Sequence, residues 1–82
     1  MDLVKLTEYL VKSLVNDQAS VSVNEFKDEE GINIEVLVSS DDMASVIGKG
    51  GSCANAIRTL VQAAAYTNKL PKVRINIDSK EV

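Results

Sequence analysis

Leucines at 3, 6, 10 and 14 recur along residues 2–15, with Val4, Val11 and Val15 beside them. This spacing predicts an amphipathic helix over 2–15 with one broad apolar face. Asp2 suits the positive end of its dipole, and Asn16-Asp17 reads as its stop. Residues 20–27, SVSVNEFK, alternate poorly but are rich in strand formers. The polar stretch DEEG, 28–31, then turns the chain. Residues 32–38, INIEVLV, alternate well: Ile32, Ile34, Val36 and Val38 share one face, and Asn33, Glu35 and Leu37 the other. The two segments read as a hairpin.

Ser39-Ser40-Asp41-Asp42 announces a short helix from Asp41 to about Ile47. Ser40 is the expected cap, with the two aspartates complementing the dipole, and Gly48 ends the helix. A second helix is predicted from about Ser52 to Asn68, because Ala54, Ile57, Leu60, Val61, Ala64 and Ala65 recur at helical spacing. The alanines at 63–65 would let it approach a sheet closely. Pro71 prevents continuation. KVRINID, 72–78, alternates cleanly, with Val73, Ile75 and Ile77 opposed to Lys72, Arg74 and Asn76.

The order is helix-strand-strand-helix-helix-strand. A strand–helix–helix–strand unit favours a right-handed crossover and parallel pairing of its two strands. The expected architecture is α+β in two layers: a three-stranded mixed sheet packed on three helices, its other face open. Eighty-two residues suffice for a single domain over 1–82.

Composition narrows the function. Histidine is absent, which removes the commonest general base and zinc ligand. The lone Cys53 forms no internal disulfide or metal cluster; it reads as a small hydrophobe, with a redox role beside a helix start as the alternative. No nucleophile–base pair is recognisable, so an enzyme is disfavoured and no cofactor is expected. No apolar run approaches the roughly 20 residues of a membrane span. MDLVKLTEYL lacks the basic-then-apolar layout of a secretory leader, so a cytoplasmic location is expected. The net charge is −3, unevenly spread. Residues 1–42 carry ten acids and three lysines; residues 43–82 carry six basic residues and two acids. The basic half begins where the glycines cluster.

That cluster is VIGKGGS, 46–52. A Walker A loop fails, because Lys49 is followed by Gly50 and no upstream glycine is correctly placed. The dinucleotide fingerprint fails, because Cys53 stands where its third glycine belongs and the stretch follows a helix. What remains is G-x-x-G, Gly48-Lys49-Gly50-Gly51, between two short helices. Here the chain resembles the KH domain, whose signature is an aliphatic-Ile-Gly-x-x-Gly stretch followed by x-x-aliphatic. Val46-Ile47-Gly48-Lys49-Gly50-Gly51 supplies all but its end, and Cys53-Ala54 and Ile57 follow with similar spacing. The element order matches the type II form. The segments DDMASVIGKGG, AIRTLVQAAA and VRINI resemble small single-domain bacterial KH proteins of the KhpA type over about residues 1–78.

The resemblance implies a non-catalytic protein that binds single-stranded RNA, holding about four nucleotides at the glycine loop. Physical reasoning agrees. Bare glycine admits a phosphate, N–H groups near Gly51 and Ser52 would point outward at a helix start, and Lys49 adds a cation. Ile47, Ala54 and the edge of strand 32–38 are the expected groove lining, with Arg58 reaching a further phosphate and Lys72 and Arg74 in a broader basic surface. Alternatives stay open at this point: the glycines as a tight helix–helix connection, Arg58 as a surface arginine or the partner of an acid, and Ile57 as core. The resemblance also implies a homodimer, or a heterodimer with a larger Jag-like KH protein, and a role in small-RNA or cell-elongation regulation. A KH-like dimerisation module with little RNA binding of its own is the rival reading. Only Tyr9, Phe26 and Tyr66 are aromatic, and DEEG is expected in a variable loop facing the groove. Both features predict weak, salt-sensitive binding, roughly micromolar or weaker.

Overall fold

The computed structural model describes residues 2–80. Met1, Glu81 and Val82, which the single-domain reading also took in, lie outside the described residues. The elements are α1 (Leu3–Lys12), β1 (Ser22–Asp28), β2 (Gly31–Ser39), α2 (Met43–Ile47), α3 (Ser52–Thr67) and β3 (Val73–Lys80). Short 3-10 turns occupy Gln18–Ser20, Ser40–Asp42 and Lys49–Gly51. This is the expected α+β, type II KH architecture.

The sheet order is β1-β2-β3, with β1 antiparallel and β3 parallel to the central β2. Ile32, Ile34, Val36 and Val38 are buried beneath the helices with Val73 and Ile75, while Asn33, Glu35 and Leu37 fall on the open face. The strict alternation of β2 therefore translates directly into sidedness.

α1 starts where Asp2 accepts the Lys5 N–H at 3.1 Å, but it ends three residues before its expected limit. Its fully buried ridge is Leu3, Thr7 and Val11, while Leu6 and Leu10 pack half-buried against the core and Leu14 is 38% exposed. Thr7 can be buried because its hydroxyl donates to the Leu3 carbonyl at 2.7 Å. Ser39 rather than Ser40 caps the 3-10 turn that leads into α2, its hydroxyl accepting the Asp41 N–H at 3.4 Å, and α2 itself has no side-chain cap. Asp42, expected to do no more than complement a dipole, is 3% exposed. Its carboxylate accepts the backbone N–H groups of Asn16 at 3.1 Å and Asp17 at 3.0 Å, tying the connection after α1 to the start of α2. Of the three alanines 63–65, one, Ala65, is buried.

The β1–β2 turn is built around Asp28, whose carboxylate accepts N–H groups from Glu30 at 2.8 Å and Gly31 at 3.0 Å and the Asn33 amide at 2.8 Å. These bonds, the Glu30 N–H foremost, hold its carboxyl below the usual aspartate range. Gly31 has φ +143°, and a Cβ there would run into the Lys72 carbonyl, which accepts the Ile32 N–H at 2.8 Å. Glycine thus lets the hairpin turn close against the entry to β3.

Register corrects one expectation outright. Ile32 pairs with Val73, and Ser39 pairs with Lys80. The acidic turn lies at the end of β2 where the sheet begins, whereas α2 and the glycine loop follow from its other end. β2, Gly31–Ser39, is about 25 Å long at roughly 3.3 Å per residue, and α3 runs from the glycine loop back toward the start of the sheet, with Arg58 at Ile75 and then Gln62 at Val73. Asp28, Glu29 and Glu30 do not face the glycine loop.

Candidate functional site

α2 is stopped by Gly48, whose φ of 74° and ψ of 173° lie in a region essentially restricted to glycine. Its N–H still donates to the Ala44 carbonyl at 2.9 Å. A Cβ on Gly48 would stand 2.8 Å from both the backbone nitrogen and the Sγ of Cys53. The first glycine is therefore a packing residue: it seats α2 against the start of α3, with half-buried Cys53 as its counterpart.

Gly50 and Gly51 are left-handed, at φ 64° and 82°. Around Gly50 the space is open, with nothing within 4 Å of an added Cβ. Gly51 faces the Asn55 side-chain nitrogen at 3.7 Å from such an atom. Lys49 and Gly50 form the exposed tip. None of the ion pairs among the described residues involves Lys49, so its charge is held by flexible methylenes in solvent.

The backbone donors differ from expectation. The Gly51 N–H turns back to the Gly48 carbonyl at 3.2 Å, and the Ser52 N–H donates to the Lys49 carbonyl. Both close the 3-10 turn rather than point outward. α3 begins at Gly51 without a side-chain cap, which leaves the positive end of a 16-residue helix directly behind the tip.

Of the expected lining, Ile47 is half-buried beside the loop. Ala54 is 2% exposed and belongs to the core, as do Ile57 and Val61. β2 has no free edge, because β1 and β3 flank it. The strand edge beside α3 is that of β3. Two α3 side chains cover its first half: Arg58 Nε donates to the Ile75 carbonyl at 3.2 Å, and Gln62 Nε2 donates to the Val73 carbonyl at 3.1 Å. Stepping back one further helical turn brings Ala54 and Asn55 level with Ile77, which is half-buried at the margin of the core. Ile47 and Ile77, both half-buried, are the candidates for an apolar shelf beside the loop, and Ala54 lies in the core. Ile77 escaped the sequence because an alternating strand does not reveal which of its neighbours stops short.

Arg58 is neither free nor paired with an acid. Besides the Ile75 carbonyl it bonds the Asn55 Oδ1 through Nη1 at 3.2 Å, which aligns its guanidinium along α3 with donors to spare. Lys72 is exposed. Arg74 meets Glu30 at 3.1 Å, an exposed pair of small energetic weight. Among the described residues no group of three or more His, Cys, Asp or Glu side chains could hold a metal, and no helix is long and apolar enough to cross a membrane.

Comparison with known proteins follows this geometry. The KH domain of the KhpA/KhpB family matches residues 4–77. A Clostridium perfringens protein named RNA-binding protein KhpA is 52% identical over 61 residues, covering 74% of this chain and 81% of its own. Proteins of the same name from Borreliella burgdorferi and Halalkalibacterium halodurans are 40% and 42% identical, each over 88% of this chain and covering 89% and 93% of their own. Among solved structures, an Aquifex aeolicus Era variant bound to GDP·AlF4− superposes with a TM-score of 0.72 at 14% identity. That match takes in 95% of this chain but 30% of the other, and it speaks to the fold alone.

Proposed function

The chain belongs to the KhpA/KhpB KH-domain family, and on that footing we propose that it binds single-stranded RNA without transforming it, in the service of post-transcriptional regulation. The Gly48–Gly51 loop holds the sugar–phosphate backbone of about four nucleotides. The observation that carries this reading is the tip: Gly50 offers bare backbone in open space beside the exposed cation of Lys49 and the positive end of α3. Bases would lie on the shelf of Ile47 and Ile77. Ser52, exposed at the helix start, offers a hydroxyl toward the backbone. Arg58 bounds the shelf instead of reaching out from it.

A second surface supports pairing, as a homodimer or with a larger Jag-like KH protein. The outward side of α3 presents Ala56, Leu60 and Ala63, all exposed, and Arg58 is the one charged residue of that helix. Two linked RNA sites would raise affinity without new contacts.

The test is a titration of labelled single-stranded RNA at two salt concentrations, comparing the native chain with a Lys49→Asp, Gly50→Asp double variant. The space around Gly50 admits the new side chain, and aspartate tolerates left-handed backbone better than most residues, so circular dichroism should show a folded variant. Weak binding that falls with salt and nearly vanishes in the variant is expected. Equal binding by both proteins would place RNA elsewhere, and no binding at either salt would leave the proposed α3 pairing surface as the working part of this chain.

A further inference from the structure

One flank of α3 leads away from the glycine loop. Gly51, Asn55, Arg58, Gln62 and Tyr66 succeed one another at three- and four-residue intervals, so they line a single side of the helix. Arg58 and Gln62 fasten that side to the edge of β3. The flank ends at Tyr66, 86% exposed, about 21 Å from the start of α3 at 1.5 Å per residue.

Tyr66 stands between two open depressions. One, of about 420 Å³, is bounded by Gln62, Leu70 and Lys72; the other, of about 670 Å³, by Thr67, Lys69 and Leu70. No acid lines either. The nearby Glu30 is paired with Arg74, and Asp28 is engaged by its own turn. Lys69 adds an independent mark. It follows the C-cap Asn68 with φ 57°, where the Leu70 N–H closes back on the Ala65 carbonyl at 2.9 Å. Helix ends of this form ordinarily place glycine there, because a Cβ is strained in the left-handed region. The chain carries a cation at a position where its backbone would be better served by glycine.

We propose that Tyr66, Lys69 and Lys72 form a second RNA contact, a distal subsite in which one base stacks on the Tyr66 ring while the two lysines hold its phosphates. The occupant is the continuation of the strand gripped at the glycine loop, guided along the Asn55–Arg58–Gln62 flank. The flank itself carries no acid, with Lys49 at one end and Lys69 and Lys72 at the other; that charge and the continuity of the flank select a polyanion with planar groups, while Glu29 in the neighbouring turn keeps the distal contact weak. The inference rests on the RNA-binding reading above. It implies that oligonucleotides long enough to span the flank bind more tightly than the minimal length held by the loop.

The experiment measures affinity for a short RNA of about four nucleotides and for a longer one of about twelve. It compares the native chain with Tyr66→Ala, Tyr66→Phe and Lys69→Gly. Tyr66→Ala should weaken the long RNA by roughly tenfold and leave the short RNA unchanged, while Tyr66→Phe, which keeps the ring, should bind both as the native chain does. Lys69→Gly should melt at a higher temperature, since glycine relieves the backbone, yet lose affinity for the long RNA. A merely structural lysine would not separate those two readouts. If Tyr66→Ala binds the long RNA as the native chain does, or weakens both lengths equally, the distal subsite is overturned while RNA binding at the loop stands. If the native chain binds neither length, both readings fall together.

Discussion

Replacing Gly48 and Gly50 one at a time with alanine should separate two reasons for the same residue type. At Gly48 the backbone occupies a region closed to other residues, which costs about 1–3 kcal/mol. The new Cβ would also meet Cys53 nitrogen and sulfur at 2.8 Å and Cys53 Cβ at 2.9 Å. The backbone nitrogen cannot rotate away, so α2 and α3 must part, for a further 1–3 kcal/mol or so of overpacking. At Gly50 the added Cβ meets nothing within 4 Å, and the left-handed conformation remains as the sole penalty, about 1 kcal/mol. Total stability for a domain of 82 residues is on the order of 4–12 kcal/mol. Each kcal/mol lowers the melting temperature by about 4–8 °C at this size. Gly50→Ala should therefore melt roughly 5 °C below the native chain and Gly48→Ala about 15 °C or more below it. Far-ultraviolet circular dichroism, followed through thermal and urea melts, reads both. Equal destabilisation, or a larger loss at Gly50, would refute the division of the loop into a packing glycine and an open one.

Three other outcomes follow from the fold. Asp42→Ala should cost about 2 kcal/mol and Asp42→Asn about half as much, because alanine leaves both the Asn16 and Asp17 N–H groups without their charged acceptor; urea melts with native-like stability for Asp42→Ala would show that the latch is idle. Gly31→Ala should destabilise by about 3 kcal/mol or more, since its Cβ is driven into the Lys72 carbonyl at a positive φ, and a well-folded variant of native melting temperature would contradict that geometry. Asp28 is depressed in the folded state, so its stabilising bonds are fully present above the ordinary aspartate value and are lost as pH falls through the lower folded value. A carboxyl titration followed by NMR should place its midpoint below that of an aspartate in an unstructured peptide, and a midpoint at the peptide value would discount the turn's hydrogen bonds.

The periodicities of the chain carried most of the architecture. Alternation at 32–38 and 73–77, and helical spacing at 54–65, are properties of neighbouring residues, and each element places its apolar side by its own geometry. The glycine stretch was legible for a similar reason: its meaning depends on backbone freedom over four consecutive positions, and the structure shows Gly48, Gly50 and Gly51 all at positive φ. The element order even implied the parallel pairing of β2 with β3, because few connections of that kind are physically available.

Tertiary structure decided everything that depends on residues distant in sequence. It made β2 the central strand and so moved the candidate groove edge to β3. It carried the acidic turn to the far end of the sheet, away from the glycine loop and toward Lys72. It sank Ala54 into the core and fastened Arg58 to the Ile75 carbonyl, although both had suitable spacing from the loop. It also turned Asp42 inward to meet two N–H groups 25 and 26 residues away. Periodicity tells which side of an element is apolar. It cannot tell which neighbour arrives to cover that side, because hydrogen bonds and edge contacts between elements are settled by register and packing, where one residue's partner is chosen by the placement of all the others.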